Sequence, residues 1–330
     1  MDTPQKLATA TVLALALTVS SAWAAPMVFI PLGTGNQVIA VDAAIDRITA
    51  SYADVIDAHG LVVTPDGEYL VAGSLKETPA AAGSPADAPT SKLYLVHSAH
   101  GHVMSTIPVA GWTHHQAITP DGRYVLSTHP TRGGVSVVDL QSNRVVKTIA
   151  TGPAPNYTVI TRDGQRAFVT NSGNGTVSEI DRASWRVIRT MEAGPAPEHL
   201  VISDDEQTLY ALNPRAGTVT AIAVASGKIS QTYKVGTTLH GLDLGNDGRT
   251  LFVSDLAENQ LIALDVRDGS RRRLTLSPAP YHLNTIRGTG KVYVSSRSDP
   301  VIWVVDQKSL TLTGTIKLPA GVGHQMAVLP

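Results

Sequence analysis

The sequence predicts an all-β fold, a seven-bladed β-propeller with four antiparallel strands in each blade. Three observations lead to this prediction. A hairpin phrase recurs along the chain, equivalent strand ends are spaced by 42 residues, and the two ends of the chain are incomplete in complementary ways. Internal periods of about 40–45 residues made of short strands are typical of propeller blades.

The recurring phrase is an apolar strand, a turn that usually contains Asp-Gly, and a second apolar strand. Glycine accepts positive φ without steric cost, so Asp-Gly favours a tight hairpin. The copies are LVVTPDGEYLVAG (61–73), AITPDGRYVLST (117–128), VITRDGQRAFVTN (159–171), VISDDEQTLYALN (201–213), LDLGNDGRTLFVSD (242–255) and the degenerate LNTIRGTGKVYVSS (283–296).

The third strand of each unit ends at an equivalent position. His97, Asp139, Asp181, Ala223 and Asp265 follow one another at intervals of 42 residues, and Asp306 follows after 41. The first interval, from Asp42 to His97, is 13 residues longer because residues 75–91 form an insertion rich in Ala, Pro and Ser. We expect this insertion to be a long loop between the second and third strands of the first complete blade.

The two ends of the chain together supply the seventh blade. Residues 27–54 contain three strand patterns but lack the innermost strand, strand A, and the C-terminal HQMAVLP contains only that strand. Pairing them removes two unpaired sheet edges. The closing blade should therefore combine a C-terminal strand A, at about residues 325–329, with N-terminal strands B to D.

Residues 1–24 have the layout of a secretory signal peptide. Lys6 precedes an apolar stretch over residues 7–19, and Ala22-Trp23-Ala24 provides small residues around a cleavage site. The apolar stretch is too short for a membrane span. The sequence thus predicts export to the periplasm, no membrane span in the mature form, and one propeller domain over residues 25–330.

Repeats such as YVLST (124–128) and AFVTNSGNGTVSEID (167–181), with the GPAP and PDG phrases, resemble the YVTN-repeat propellers of bacteria and archaea. The chain is more distantly similar to the propellers of nitrous oxide reductase and cytochrome cd nitrite reductase. The resemblance covers essentially all of residues 27–330. It implies the fold and leaves the function open.

Composition excludes some functions. The formal net charge is −1, from 26 basic and 27 acidic residues, which gives no support to nucleic-acid binding. The chain has no cysteine, so it has neither a disulfide nor a thiolate ligand. It also lacks GxSxG, Walker, HExxH and CxxCH motifs.

Histidines concentrate at the start of strand A, where the strands of all blades should surround one mouth of the central channel. Aligning the repeats places seven of the eleven histidines in two adjacent columns. The first column is His59, His114, Asn156, Glu198, His240, Tyr281 and His324. The second is Gly60, His115, Tyr157, His199, Gly241, His282 and Gln325.

This pattern predicts a periplasmic binding propeller that holds a transition metal and takes part in metal handling. We expect metal ligands at His59, His114, His240, His324 and Glu198, and further cofactor-binding residues at His115, His199, His282, Tyr157 and Tyr281. Copper is favoured because imidazole dominates and copper leads the affinity order, and zinc is the alternative metal.

Other interpretations remain open from the sequence. Side chains alternate along a strand, which predicts that only one column faces the channel while His199 and His282 pack between blades. The channel could simply be polar and filled with water. The same pocket could serve a redox or hydrolytic enzyme, or bind noncovalent haem. The top face, including the 75–91 loop, could instead be a scaffold for a periplasmic protein partner without metal.

Weaker features lie elsewhere. His97, His100 and His102 form an HxxHxH pattern that we interpret as a solvated turn. We interpret His129 as an ordinary loop residue. Trp112 either forms part of the wall of the site or packs between blades.

Overall fold

The structure is a computed structural model that describes residues 25–85 and 88–330 of the 330-residue chain. These residues form seven four-stranded sheets, each an antiparallel blade, which confirms the predicted seven-bladed propeller. The predicted signal peptide, residues 1–24, lies outside the described residues. In the part of the chain that is described, no helix has the length and apolar character needed to cross a membrane.

The strands follow the chain blade by blade. The N-terminal strands are β1 (Met27–Pro31), β2 (Gln37–Asp42) and β3 (Arg47–Ala53). Blade 1 contains β4 (Ala58–Val63), β5 (Tyr69–Ser74), β6 (Ser91–His97) and β7 (Val103–Val109). Blade 2 contains β8 (Gln116–Ile118), β9 (Tyr124–His129), β10 (Gly134–Asp139) and β11 (Arg144–Ala150). Blade 3 contains β12 (Pro155–Ile160), β13 (Arg166–Asn171), β14 (Thr176–Asp181) and β15 (Arg186–Glu192).

The second half repeats the pattern. Blade 4 contains β16 (Leu200–Ile202), β17 (Thr208–Asn213), β18 (Thr218–Ala223) and β19 (Lys228–Lys234). Blade 5 contains β20 (Leu239–Leu244), β21 (Thr250–Asp255), β22 (Gln260–Asp265) and β23 (Arg271–Thr275). Blade 6 contains β24 (Pro280–Ile286), β25 (Lys291–Ser296), β26 (Val301–Asp306) and β27 (Thr311–Lys317), and the last strand is β28 (Ala327–Leu329).

The closing blade is built from both ends of the chain, as predicted. Its strand order is β28-β1-β2-β3, and β28 pairs antiparallel with β1 through Met27↔Leu329, Val28↔Val328 and Phe29↔Ala327. The innermost strands of neighbouring blades contact one another around the axis. This arrangement brings the seven starts of strand A together at one end of the central channel.

Apolar clusters fill the interfaces between adjacent blades. The described residues form seven such clusters, and each joins two neighbouring blades. Phe168 and Phe252, both essentially inaccessible to solvent, each pack in one of these interfaces. Burying a side chain of this size contributes about 1.5–3 kcal/mol to the stability of the fold. The circular arrangement of blades is therefore stabilised mainly by apolar contacts between neighbouring blades.

The hairpin turns have the backbone conformation that the Asp-Gly phrase predicts. Gly67 and Gly122 have φ of 74° and 71°. In blade 4 the turn lacks glycine, and Glu206 adopts a φ of 57° in its place. The long insertion lies between β5 and β6, as expected, and its Glu77 pairs with Arg132 of blade 2 at 2.9 Å.

Candidate metal centre

Seven histidines from six blades converge at the starts of the innermost strands. Blade 3 supplies no histidine there and contributes Tyr157 instead. Going around the centre, the distances between ring centroids are 4.5 Å for His59–His114, 4.1 Å for His114–His115, 5.2 Å for His115–His199, 5.0 Å for His199–His240, 4.5 Å for His240–His282, 5.6 Å for His282–His324 and 4.4 Å for His324–His59. The rings therefore form a closed circuit, which we call the seven-histidine centre.

Both sequence columns contribute to this centre, which differs from the expectation based on strand alternation. In blade 2, the His114 N–H donates to the Thr128 carbonyl, and the Thr128 N–H donates to the His115 carbonyl. Two residues that precede β8, His114 and His115, thus lie opposite the single residue Thr128, and this arrangement is a β-bulge. Equivalent register shifts separate Ala58 from Leu61 and Leu239 from Leu242. The extra residue breaks the alternation of side chains, so consecutive histidines can reach the same centre.

Hydroxyl side chains of strand B support the bulges of blades 2, 3 and 5, and this feature was not predicted from the sequence. The Thr128 Oγ accepts a hydrogen bond from the His115 N–H at 3.1 Å and donates to the Asn156 carbonyl of the next blade at 2.8 Å. The Thr170 hydroxyl likewise accepts from the Tyr157 N–H and donates to the Glu198 carbonyl. The Ser254 hydroxyl accepts from the Gly241 N–H and donates to the Tyr281 carbonyl. The signal was present in the sequence as a Thr or Ser at the fifth position of strand B in blades 2, 3, 5 and 6.

The imidazole rings are buried and short of hydrogen-bond partners. His59, His115, His199 and His282 are each less than 5% exposed. Six ring nitrogens of the centre are buried without a partner: His59 Nδ1 and Nε2, His114 Nδ1, His115 Nε2, His199 Nε2 and His324 Nδ1. Buried polar atoms are normally satisfied, so this concentration of unpartnered nitrogens in one place calls for an explanation.

Two contacts restrict which nitrogens of the centre are free. His115 Nδ1 lies 3.2 Å from the Asn156 carbonyl and must donate to it, so its lone pair is on Nε2. His240 Nε2 lies 3.2 Å from His282 Nε2, and one of these rings donates to the other.

Burial keeps the rings neutral. Desolvation lowers the pKa of His114 to about 4, of His199 to about 3 and of His324 to about 4. The same cause, followed by repulsion from neighbouring histidines, lowers the pKa of His59 and His282 well below the usual value. Neutral imidazole carries a lone pair, so the rings are in the protonation state that binds metal.

The histidines of the centre form three overlapping groups of three. Within each group, one ligand atom from each histidine lies within 4.8 Å of the other two, which is close enough to hold a metal ion. They are His59–His114–His115, His59–His282–His324 and His115–His199–His282. The first two groups mix the two sequence columns, whereas all three members of the third group come from the second column. His240 and Glu198, predicted as ligands, lie beside these groups and belong to none of them, and the division of roles between the columns stays a prediction.

Aromatic and acidic side chains surround the centre. The Tyr281 ring stacks on His240 at 4.0 Å and Tyr157 stacks on His199 at 4.9 Å. Trp112 meets His114 edge-on at 5.5 Å, so it forms part of the wall. Glu198 Oε2 lies 3.9 Å from His240 Nδ1, and burial raises the pKa of the Glu198 carboxyl.

The other four histidines lie outside the centre. The His129 Nε2 bonds the Ser136 Oγ at 2.8 Å, the same link that Asn171 makes to Ser178 at 2.9 Å. His129 is therefore a buried structural residue rather than the loop residue expected. His97, His100 and His102 stack at a turn after β6 and are among none of the three groups found in the described chain.

Comparison with known proteins supports the fold. No protein-family model and no curated protein matches the chain, so membership of the YVTN-repeat group stays a prediction. Among solved structures, the periplasmic gluconolactonase PpgL of Pseudomonas aeruginosa has 19% identity and a TM-score of 0.74, over 92% of this chain and 99% of that one.

Two further structures are similar. Hydrazine synthase of Kuenenia stuttgartiensis has 21% identity and a TM-score of 0.69, over 82% of this chain and 89% of that one. The dihydro-heme d1 dehydrogenase NirN, in complex with DHE, has 14% identity and a TM-score of 0.66, over 90% of this chain and 65% of that one. At these identities the similarity shows the propeller fold alone.

Proposed function

We propose that this protein binds a transition metal, with copper favoured, at the seven-histidine centre and takes part in metal handling in the periplasm. The observation that carries the proposal is the convergence of six buried ring nitrogens without partners. Export by residues 1–24 is part of the same proposal, and fractionation of cells expressing the chain with and without those residues tests it.

The energetic argument favours a bound ion over a purely structural cluster. A buried polar atom without a partner costs about 1–3 kcal/mol. Several such atoms in one place would destabilise the fold if the histidines served only to fill space. Apolar side chains of similar size would fill the same space without this loss of stability. A metal ion would satisfy the nitrogens directly, and the neutral rings need not lose a proton to bind it.

The ligand set favours copper. The chain has no cysteine, so imidazole is the main donor available, and imidazole suits copper, zinc, nickel and iron. Among divalent ions copper forms the strongest complexes with such ligands. Neighbouring rings lie only 4.1–5.6 Å apart around the centre, which favours an ion over a planar haem.

Elemental analysis of protein purified without chelator tests the proposal. We expect bound copper in the wild type and a lower copper content in His59→Ala/His114→Ala/His324→Ala, in which the His115–His199–His282 group alone remains. The matched control is His97→Ala/His100→Ala/His102→Ala, which removes three clustered histidines at a turn and should retain the metal. A wild type that takes up no metal, or equal metal in both triple variants while both remain folded, would contradict the proposal.

A second candidate is a metal-dependent hydrolase that uses the same centre. It is favoured by Glu198, whose side chain is 32% exposed and approaches His240 at 3.9 Å, where a carboxylate could act as a general base on a metal-bound substrate. Lactones are the first substrates to try, since a neighbouring fold is a gluconolactonase. Hydrolysis that requires copper and is abolished by Glu198→Gln with metal retained would support it, and no hydrolysis by the loaded wild type would contradict it.

A further inference from the structure

We propose that the centre holds two metal ions that share the imidazole ring of His59, one ion bound at each ring nitrogen. The inference rests on the proposed function and deepens it, because it states how many ions the seven-histidine centre accepts and which residue joins them.

His59 differs from the other rings of the centre. Among the described residues it is the one histidine with both ring nitrogens buried and without a hydrogen-bond partner. The ring is 3% exposed, so solvent does not satisfy either nitrogen. It stacks nearly parallel on His114, at 14° and 4.5 Å, and lies 4.4 Å from His324 on another side.

The position of His59 explains why both nitrogens are free. His59 belongs to two of the three ligand groups, one with His114 and His115 and the other with His282 and His324. These two groups have no other member in common. Two three-histidine sites therefore meet at a single ring.

The third group competes with the other two and cannot be filled beside them. It consists of His115, His199 and His282. His115 has only Nε2 to offer, because its Nδ1–H donates to the Asn156 carbonyl. His282 Nε2 is engaged with His240 Nε2, and when His282 donates this hydrogen bond its lone pair is on Nδ1, which is then its one ligand atom. Each of these two rings can therefore serve one ion.

Consequently the hydrogen bonds select the pair of sites that share His59. Filling the His115–His199–His282 group uses two rings that the other groups need and leaves both His59 nitrogens unpartnered. Filling the two groups that contain His59, one through each of its nitrogens as proposed, gives a ligand role to five histidines and leaves neither nitrogen of His59 without a partner.

Binding of two ions to the His59 ring releases one proton. A neutral imidazole binds the first ion through its lone pair and keeps one N–H. When the second ion binds, the remaining N–H proton leaves to solvent and the ring becomes an imidazolate that donates one electron pair to each ion. No oxidant or reductant takes part.

Copper stoichiometry and spin coupling test the inference. Metal-free protein is loaded with excess Cu²⁺ under air, desalted, and measured by elemental analysis and low-temperature electron paramagnetic resonance. We expect two copper ions per wild-type chain, with an integrated signal far below two spins because the shared ring couples them. His59→Asn should bind one ion, at the remaining His115–His199–His282 group, with a full uncoupled spin. His102→Asn is the matched control and should behave as the wild type.

The outcomes separate this inference from the proposed function. No copper in the wild type would overturn both. One copper per wild-type chain, two uncoupled spins, or two ions retained in His59→Asn would overturn the sharing of His59 and leave metal binding intact. Because the spin coupling is measured on the wild type, the inference is tested even if His59→Asn does not fold.

Discussion

Gly60 shows how closely the histidine-bearing strands approach one another. A Cβ added at this residue would lie 2.1 Å from Gln116 Oε1, 2.5 Å from the His114 carbonyl oxygen and 2.8 Å from His115 Cα. Two of these three atoms belong to the backbone, which cannot move aside as a flexible side chain can. Glycine at this position therefore lets the start of blade 1 pack against the bulge of blade 2.

We expect Gly60→Ala to displace the bulge that holds His114 and His115. The overpacking should lower the free energy of unfolding by about 1–3 kcal/mol and reduce metal occupancy. Chemical denaturation and elemental analysis measure the two effects. Gly314→Ala is the control, since its Cβ would meet only Val304 Cβ, at 3.9 Å. Equal behaviour of the two variants would contradict this explanation.

At the residue scale the sequence predicted the composition of the centre better than its geometry. The two columns placed all seven histidines at the starts of strand A, and the structure brings those rings together. The sequence could not show that His59 has two unpartnered nitrogens while His115 has one. That difference depends on a hydrogen bond to Asn156 of another blade.

The β-bulge at the start of strand A is the element on which the centre depends. Regular alternation would turn His114 and His115 to opposite faces, which predicts that one column points away from the channel. A bulge leaves no clear signature in the hydrophobic pattern, because strand A continues as an apolar run after it. The recurring hydroxyl on strand B was the available clue.

Thr128→Val tests the role of that hydroxyl. The change preserves the shape of the side chain but leaves the buried His115 N–H without its partner and removes one of the two hydrogen bonds that the Asn156 carbonyl accepts. We expect a loss of about 1–3 kcal/mol in unfolding free energy, together with weaker copper binding measured by competition with a chelator. The control is Thr148→Val on β11, an exposed position. Unchanged copper affinity in Thr128→Val would show that the bulge does not need this support.

At the scale of the whole molecule, ring closure creates the centre. His324 comes from the C-terminal end of the chain and His59 from the first complete blade, yet their rings lie 4.4 Å apart. The 42-residue period and the incomplete ends were enough to predict this closure, because a repeat that must eliminate its edges has few arrangements. No local pattern could have indicated the contact.

The buried rings should make the metal-free protein sensitive to acid. The pKa values of His114, His199 and His324 are about 4, 3 and 4 in the folded state, against about 6.5 in an unfolded chain. Below pH 6.5 the unfolded chain binds protons that the folded state does not, so stability falls as pH decreases.

We expect the unfolding free energy of the metal-free wild type to decrease between pH 6.5 and about pH 4, by about 1.4 kcal/mol per pH unit for each such ring. Denaturant titrations at a series of pH values measure it. The His59→Ala/His114→Ala/His324→Ala variant should show a shallower slope. Stability independent of pH over this range would contradict the burial of neutral histidines.

Crystallographic data collected at the copper absorption edge test the central claim most directly. For wild-type crystals grown with copper, we expect anomalous difference density within the seven-histidine centre, surrounded by imidazole rings from several blades. Density confined to surface histidines, or a centre without any in fully loaded crystals, would contradict the account.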